Sequence, residues 1–155
     1  MFKDKRDECG RIDSRCFIVS TTSVLWTQAA IRGSSTMKYE NIPELSRAEV
    51  EEALRNNSED LSLAVLSAVL FSDDCEWVES VCIRAASHGE PKVKGNAILG
   101  FGHLARRSGD FVQPQVATGI IQAALSDSSE YVRGQAESAA DDVEAFTAYR
   151  IRRPS

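Results

Sequence analysis

Apolar positions recur at steps of three and four from Leu45 onward, and the elements they predict are all helices. Ser46-Arg47-Ala48-Glu49 has the S-x-x-E form of a capping box, so a first helix is expected over AEVEEALR. Asn56-Asn57-Ser58 breaks it. LSLAVLSAVLF (61 to 71) follows, apolar nearly all round, which predicts burial between neighbours. Asp73-Asp74 suits the start of the next helix, where carboxylates oppose the positive end of the dipole. Further on, Arg106-Arg107-Ser108-Gly109 closes one helix with basic residues and glycine, and Pro91 and Pro114 each stand at a helix's first turn.

The pattern also repeats. A shift of 39 residues lays EPKVKGNA (90 to 97) on SEYVRGQA (129 to 136), matching Val93 with Val132, Lys94 with Arg133, Gly95 with Gly134 and Ala97 with Ala136. Upstream, Trp77, Val81 and Ala85 fall on Val116, Ile120 and Ala124, one stripe of a helix in each copy. Each copy is therefore a helix, a short turn and a second helix, and the expected core is Trp77, Val81, Val93, Ala97, Leu104, Val116, Ile120, Val132, Ala136 and Val143. The copies differ where Ile98, Leu99 and Phe101 become Glu137, Ser138 and Ala140, a change from apolar to polar that suits the last unit of a stack.

EPKVKGNAILGFGHLARR and SEYVRGQAESAADDVEAF resemble the HEAT repeat, and the likeness extends over roughly residues 46 to 147 as in small bacterial HEAT-repeat proteins. It implies an all-α fold, a short α-solenoid of about three HEAT-like helix pairs with an armadillo-like architecture. The first pair departs from the pattern, since no V-[KR] step precedes LSLAVLSAVLF.

The repeat settles a competing motif. Gly100-Phe101-Gly102-His103-Leu104-Ala105 satisfies the dinucleotide fingerprint G-x-G-x-x-G/A. In the second copy its glycine and alanine positions are Ala139, Asp141 and Glu144, and Ile120 stands where the ribose-binding acid belongs. The glycines then predict close helix packing, and Gly95 and Gly134 share that role in register.

Organisation and charge refine the picture. Residues 1 to 37 lack periodicity and read as a loosely ordered extension, 38 to 149 as the repeat domain and 150 to 155 as a tail. The apolar run CFIVSTTSVLW is too polar, and its basic start too acidic, for a secretory leader, and Met37 is a candidate natural start. No stretch has the apolar length of a membrane span, and a cytoplasmic location is expected. The net charge is −5 overall, and residues 37 to 155 hold 12 basic against 19 acidic side chains, the wrong sign for gripping a phosphate backbone.

No constellation of residues points to chemistry. Cys75 and Cys82, seven residues apart on one helix, are too distant to bridge each other and are expected as free thiols, with Cys82 at the buried position of Ile121. His103 is expected on a helix surface and His88 in a turn, neither with a partner to orient it as a base. The pairs Asp73-Asp74 and Asp141-Asp142 point about 100° apart and do not converge. No metal site, cofactor or catalytic residue is assigned.

The expected function is a non-enzymatic protein-protein interaction module whose acidic surface meets a basic partner. Bacterial proteins of this likeness include immunity proteins that neutralise a cognate toxin, and that is the role the resemblance implies. Glu130, Glu137, Asp141 and Asp142 are the expected contact residues, on or beside the polar face of the last pair. HEAT-like folds also serve enzymes or chaperones of the bilin-lyase type and structural scaffolds, which stand as alternatives.

Overall fold

The structure, a computed structural model, describes residues 41–155. Among them six helices and no strand are found: α1 (Arg47–Asn56), α2 (Leu61–Phe71), α3 (Cys75–Ala85), α4 (Pro91–Ser108), α5 (Pro114–Ala124) and α6 (Glu130–Phe146). The fold is all-α, three successive helix pairs. None of these helices is long and apolar enough to cross a membrane. The proposed N-terminal extension lies outside the described residues.

Local chemistry sets the helix ends. The Ser46 hydroxyl accepts from the Glu49 amide at 3.4 Å while the Glu49 carboxylate accepts from the Ser46 amide at 2.7 Å, the reciprocal box read from the sequence. Asn57 then terminates α1 in the left-handed region, φ 46°. Asp74 accepts from the Trp77 amide at 2.9 Å and starts α3. Pro91 and Pro114 open α4 and α5, and Gly109 closes α4 at φ 68°.

Helix α4 is central, packed against α2, α3, α5 and α6, with its longest seam along α6. Its cross-contacts fix the register. Asn96 donates to the Ser62 carbonyl at 3.1 Å, and eleven positions later Arg107 donates to the Val69 and Ser72 carbonyls at 3.2 and 2.8 Å, so α2 and α4 run parallel. On the other side the Tyr131 hydroxyl donates to Asn96 at 2.7 Å and Arg106 meets Asp142 at 2.7 Å, so α6 is parallel as well. The second helices of the three pairs thus form one layer.

The glycines of α4 allow that layer to close. A Cβ on Gly100 would lie 2.5 Å from Cys82 Sγ and 2.8 Å from Val69 Cγ2, and one on Gly102 3.2 Å from the Ala139 backbone. Gly95 carries the Tyr131 ring in the same way. Gly134, its repeat counterpart, does not: a Cβ there would meet nothing within 4 Å.

Trp77, Val81, Val93, Ala97, Leu104, Val132, Ala136 and Val143 are buried. Val116 is not core: it is 40% exposed, and α5 turns Ala117, Ile121 and Ala124 inward, with Ile120 half-buried against the edge of the core. Trp77 owes its burial to reach, since its indole N–H donates to Glu51 of α1 at 2.7 Å and Arg47 lies 5.1 Å over its ring. Valine at the equivalent position is too short to bridge to a neighbour in that way.

Beyond α6 the chain folds back on the last pair. Tyr149 stacks on Phe111 at 6.0 Å and donates to Asp110 at 2.6 Å, Ile151 is buried, and Arg153 bonds both Asp141 and Glu144. Buried Glu79 of α3 accepts from the Val112 and Gln113 amides, both at 2.8 Å, supplying the start of α5 with the acceptor that Gln113 itself does not. No buried side-chain nitrogen or oxygen among the described residues lacks a partner.

Candidate partner-binding surface

The side chains with reactive potential are placed by packing. Cys82 is fully buried under Gly100, and burial pushes its thiol far up, with Glu79 adding to the effect. Cys75 is disulfide-bonded, so the expectation of a free thiol fails there and holds at Cys82. His103 is more enclosed than a surface position: desolvation first, then Arg106 and Arg107, lower its pKa against the opposing pull of Asp142. His88 sits in the turn as expected, its Nδ1 accepting from the Glu90 amide at 3.1 Å.

A cavity of 250 Å³ opens where the end of α1, the start of α2 and the end of α3 meet, lined by Glu51, Leu54, Arg55, Leu61, Arg84 and His88. Its main charges satisfy each other. Arg84 grips Glu51 through two bonds of 2.8 and 2.9 Å, and with the Trp77 indole this pulls the Glu51 carboxyl down to about 2.

The four carboxylates expected to bind a partner do not form one cluster. Glu130, Glu137 and Asp141 share a face of α6 about 16 Å long at 1.5 Å per residue, whereas Asp142 lies a quarter-turn round, against α4, with its side chain only 13% exposed. Asp142 is held by Arg106 and Asp141 by Arg153. Glu130 and Glu137 carry no ion pair among the described residues and are exposed.

Charge is distributed unevenly along the array. Residues 41–90 contain three basic and eleven acidic side chains, residues 91–155 eight and seven. The negative field therefore belongs to the first pair and α3, not to α6. A count by halves would have found this from the sequence; a total over the whole repeat region hides it.

Within that acidic half lies an apolar surface. Leu61, Ala64, Val65, Ala68 and Val69 of α2 are buried, as its composition predicts, but Leu63 and Leu66 are half-buried and Leu70 and Phe71 are 41% and 42% exposed. All-round apolarity therefore overstated the burial of α2.

No protein-family model matches this chain, and no curated protein does. Among solved structures it is similar to a chain in the crystal structure of a CDI complex from Cupriavidus taiwanensis LMG 19424: 26% identity and a TM-score of 0.60, over 72% of this chain and 98% of that one.

Proposed function

We propose that this protein is a non-enzymatic binding module of the immunity type, which neutralises a toxin by covering it. The observation that carries the reading is the likeness to a chain of a CDI complex, which runs over 98% of that chain. CDI, contact-dependent inhibition, pairs a toxin with an immunity protein that binds it. The likeness spans a whole component of such a complex, as expected if the helical array is itself the binding unit.

Charge supports a basic partner. A surface with eleven carboxylates against three cations over residues 41–90 attracts a positively charged protein at long range and orients it before contact. The same field opposes nucleic acid. On α6, Glu130 and Glu137 remain available as secondary contacts, while Asp141 and Asp142 can serve only if Arg153 and Arg106 release them.

The test is growth. An immunity role predicts that the toxin is encoded beside this chain; expressed alone, the polypeptide of that adjacent reading frame should arrest a host cell, and co-expression of this chain should restore growth. Arrest that persists at equal expression of both chains refutes the proposal.

A further inference from the structure

The exposed side of α2 is unlike any other surface of the described residues. Leu63, Leu66 and Leu70 are spaced by three and four and fall within about 60° of one another around the axis. The stripe lies opposite the buried face of Leu61, Ala64, Val65, Ala68 and Val69, while Phe71, the last residue of the helix, is exposed about 100° round from Leu70 and widens the apolar surface at that end. The helix has no charged residue in its 11 positions. Carboxylates bracket it: Glu59 and Asp60 precede it, and Asp73 follows with its side chain 85% exposed and only a 3.5 Å pairing to Arg107. Neither Glu59 nor Asp60 has an ion pair among the described residues. From Asp60 to Asp73 the span is about 20 Å at 1.5 Å per residue.

Other exposed apolar groups do not compete. Val112, Val116 and Phe146 are single positions on different elements, and the Tyr131 hydroxyl is committed to Asn96.

We propose that this stripe is the docking surface for the partner, and that it receives an apolar helix face with Lys or Arg at both ends, spaced to meet Glu59 and Asp60 at one end and Asp73 at the other. The inference rests on the binding-module reading and adds to it the surface and the chemistry of the matching segment. Charge complementarity selects this occupant: an anionic lipid headgroup or a phosphate backbone would meet carboxylates at both ends of the stripe, and an apolar segment with acidic flanks would be repelled. The apolar centre supplies contact area and the flanks fix the register, the helix-in-groove mode of recognition.

The probe is a labelled 20-residue helical peptide with leucines at spacings of three and four and two arginines at each end, titrated with the full chain and followed by fluorescence anisotropy. Leu70→Ser/Phe71→Ser and Glu59→Lys/Asp73→Lys should each weaken binding at least tenfold, the lysine pair with the thermal transition unchanged because both carboxylates are exposed, the serine pair with the helical circular dichroism signal at 222 nm retained at the assay temperature. The lysine variant should instead favour the same peptide with glutamates at its ends. No binding by the native chain, equal binding by both variants, or preferential binding of phosphatidylglycerol vesicles overturns the assignment. A second arm separates it from the reading beneath it, using the polypeptide encoded by the adjacent reading frame. If the native chain and Leu70→Ser/Phe71→Ser capture it equally while Glu130→Lys/Glu137→Lys does not, the surface is wrong and the reading stands. If the native chain fails to capture it, the reading itself falls.

Discussion

Replacing Gly100 by alanine adds one methyl group at the tightest point of the helix layer. That methyl would sit 2.5 Å from Cys82 Sγ and 2.8 Å from Val69 Cγ2. Both neighbours are short side chains on buried positions of α3 and α2, 0% and 2% exposed, so neither can swing into solvent. Relief requires α4 to withdraw from two helices at once. Overpacking of this kind costs about 1–3 kcal/mol, and alanine recovers about 1 kcal/mol of helix propensity lost to glycine, which leaves a net destabilisation of about 0–2 kcal/mol. A leucine should cost considerably more. The control is built into the same chain: a Cβ on Gly119 of α5 or Gly134 of α6 meets nothing within 4 Å. Gly119→Ala and Gly134→Ala should therefore stabilise by about 0.5–1 kcal/mol from propensity alone. Urea melts followed by circular dichroism at 222 nm read both signs. A Gly100→Ala protein as stable as Gly119→Ala would refute the packing of α4 against α2 and α3.

Three further outcomes follow from named contacts. Glu79→Ala should cost about 2–3 kcal/mol by removing charge-assisted acceptors from two amides, and hydrogen exchange at Val112 and Gln113 should accelerate ahead of the rest of α5. Because the Glu51 carboxyl is depressed to about 2, its contribution is fully present above its ordinary value near 4.5 and is lost as pH falls through about 2. Glu51→Gln should then lower stability at pH 7 by about 1–2 kcal/mol, after allowance for solvent screening, and flatten the stability profile between pH 5 and 2. Ile151→Ala should destabilise by about 2–3 kcal/mol as a large-to-small core change, whereas Arg153→Ala, which removes only surface pairs, should cost far less and lose that effect in high salt; equal effects of the two in a thermal melt would contradict the way the tail is seated.

Where the sequence carried a local physical signal, it was legible. The capping box at Ser46, the prolines at 91 and 114 and the glycine stop at 109 name the helix ends by mechanisms that act within four residues. The 39-residue repeat then paired the helices and disposed of the nucleotide motif. Transferring burial from one copy to the next failed at Val116 and Gly134, since the period equates backbone positions but not what surrounds them. Trp77 reaches across to α1 and Gly95 has Tyr131 above it; their counterparts lack both a long enough side chain and a neighbour. Glu79 escaped notice because a lone glutamate in a helix signals nothing until the fold brings the 111–113 turn beneath it. The choice of α6 as the acidic face followed its loss of apolar residues, a sign of capping the array, while Asp141 and Asp142 turned out to be neutralised by Arg153 and Arg106 across gaps of 12 and 36 residues.

The most direct test of a charge-steered binding module is the affinity of this chain for the polypeptide of the adjacent reading frame, titrated calorimetrically at low and at high salt. A one-to-one complex that weakens steadily as salt rises is the predicted result. Absence of a complex, or an affinity indifferent to salt, would contradict it.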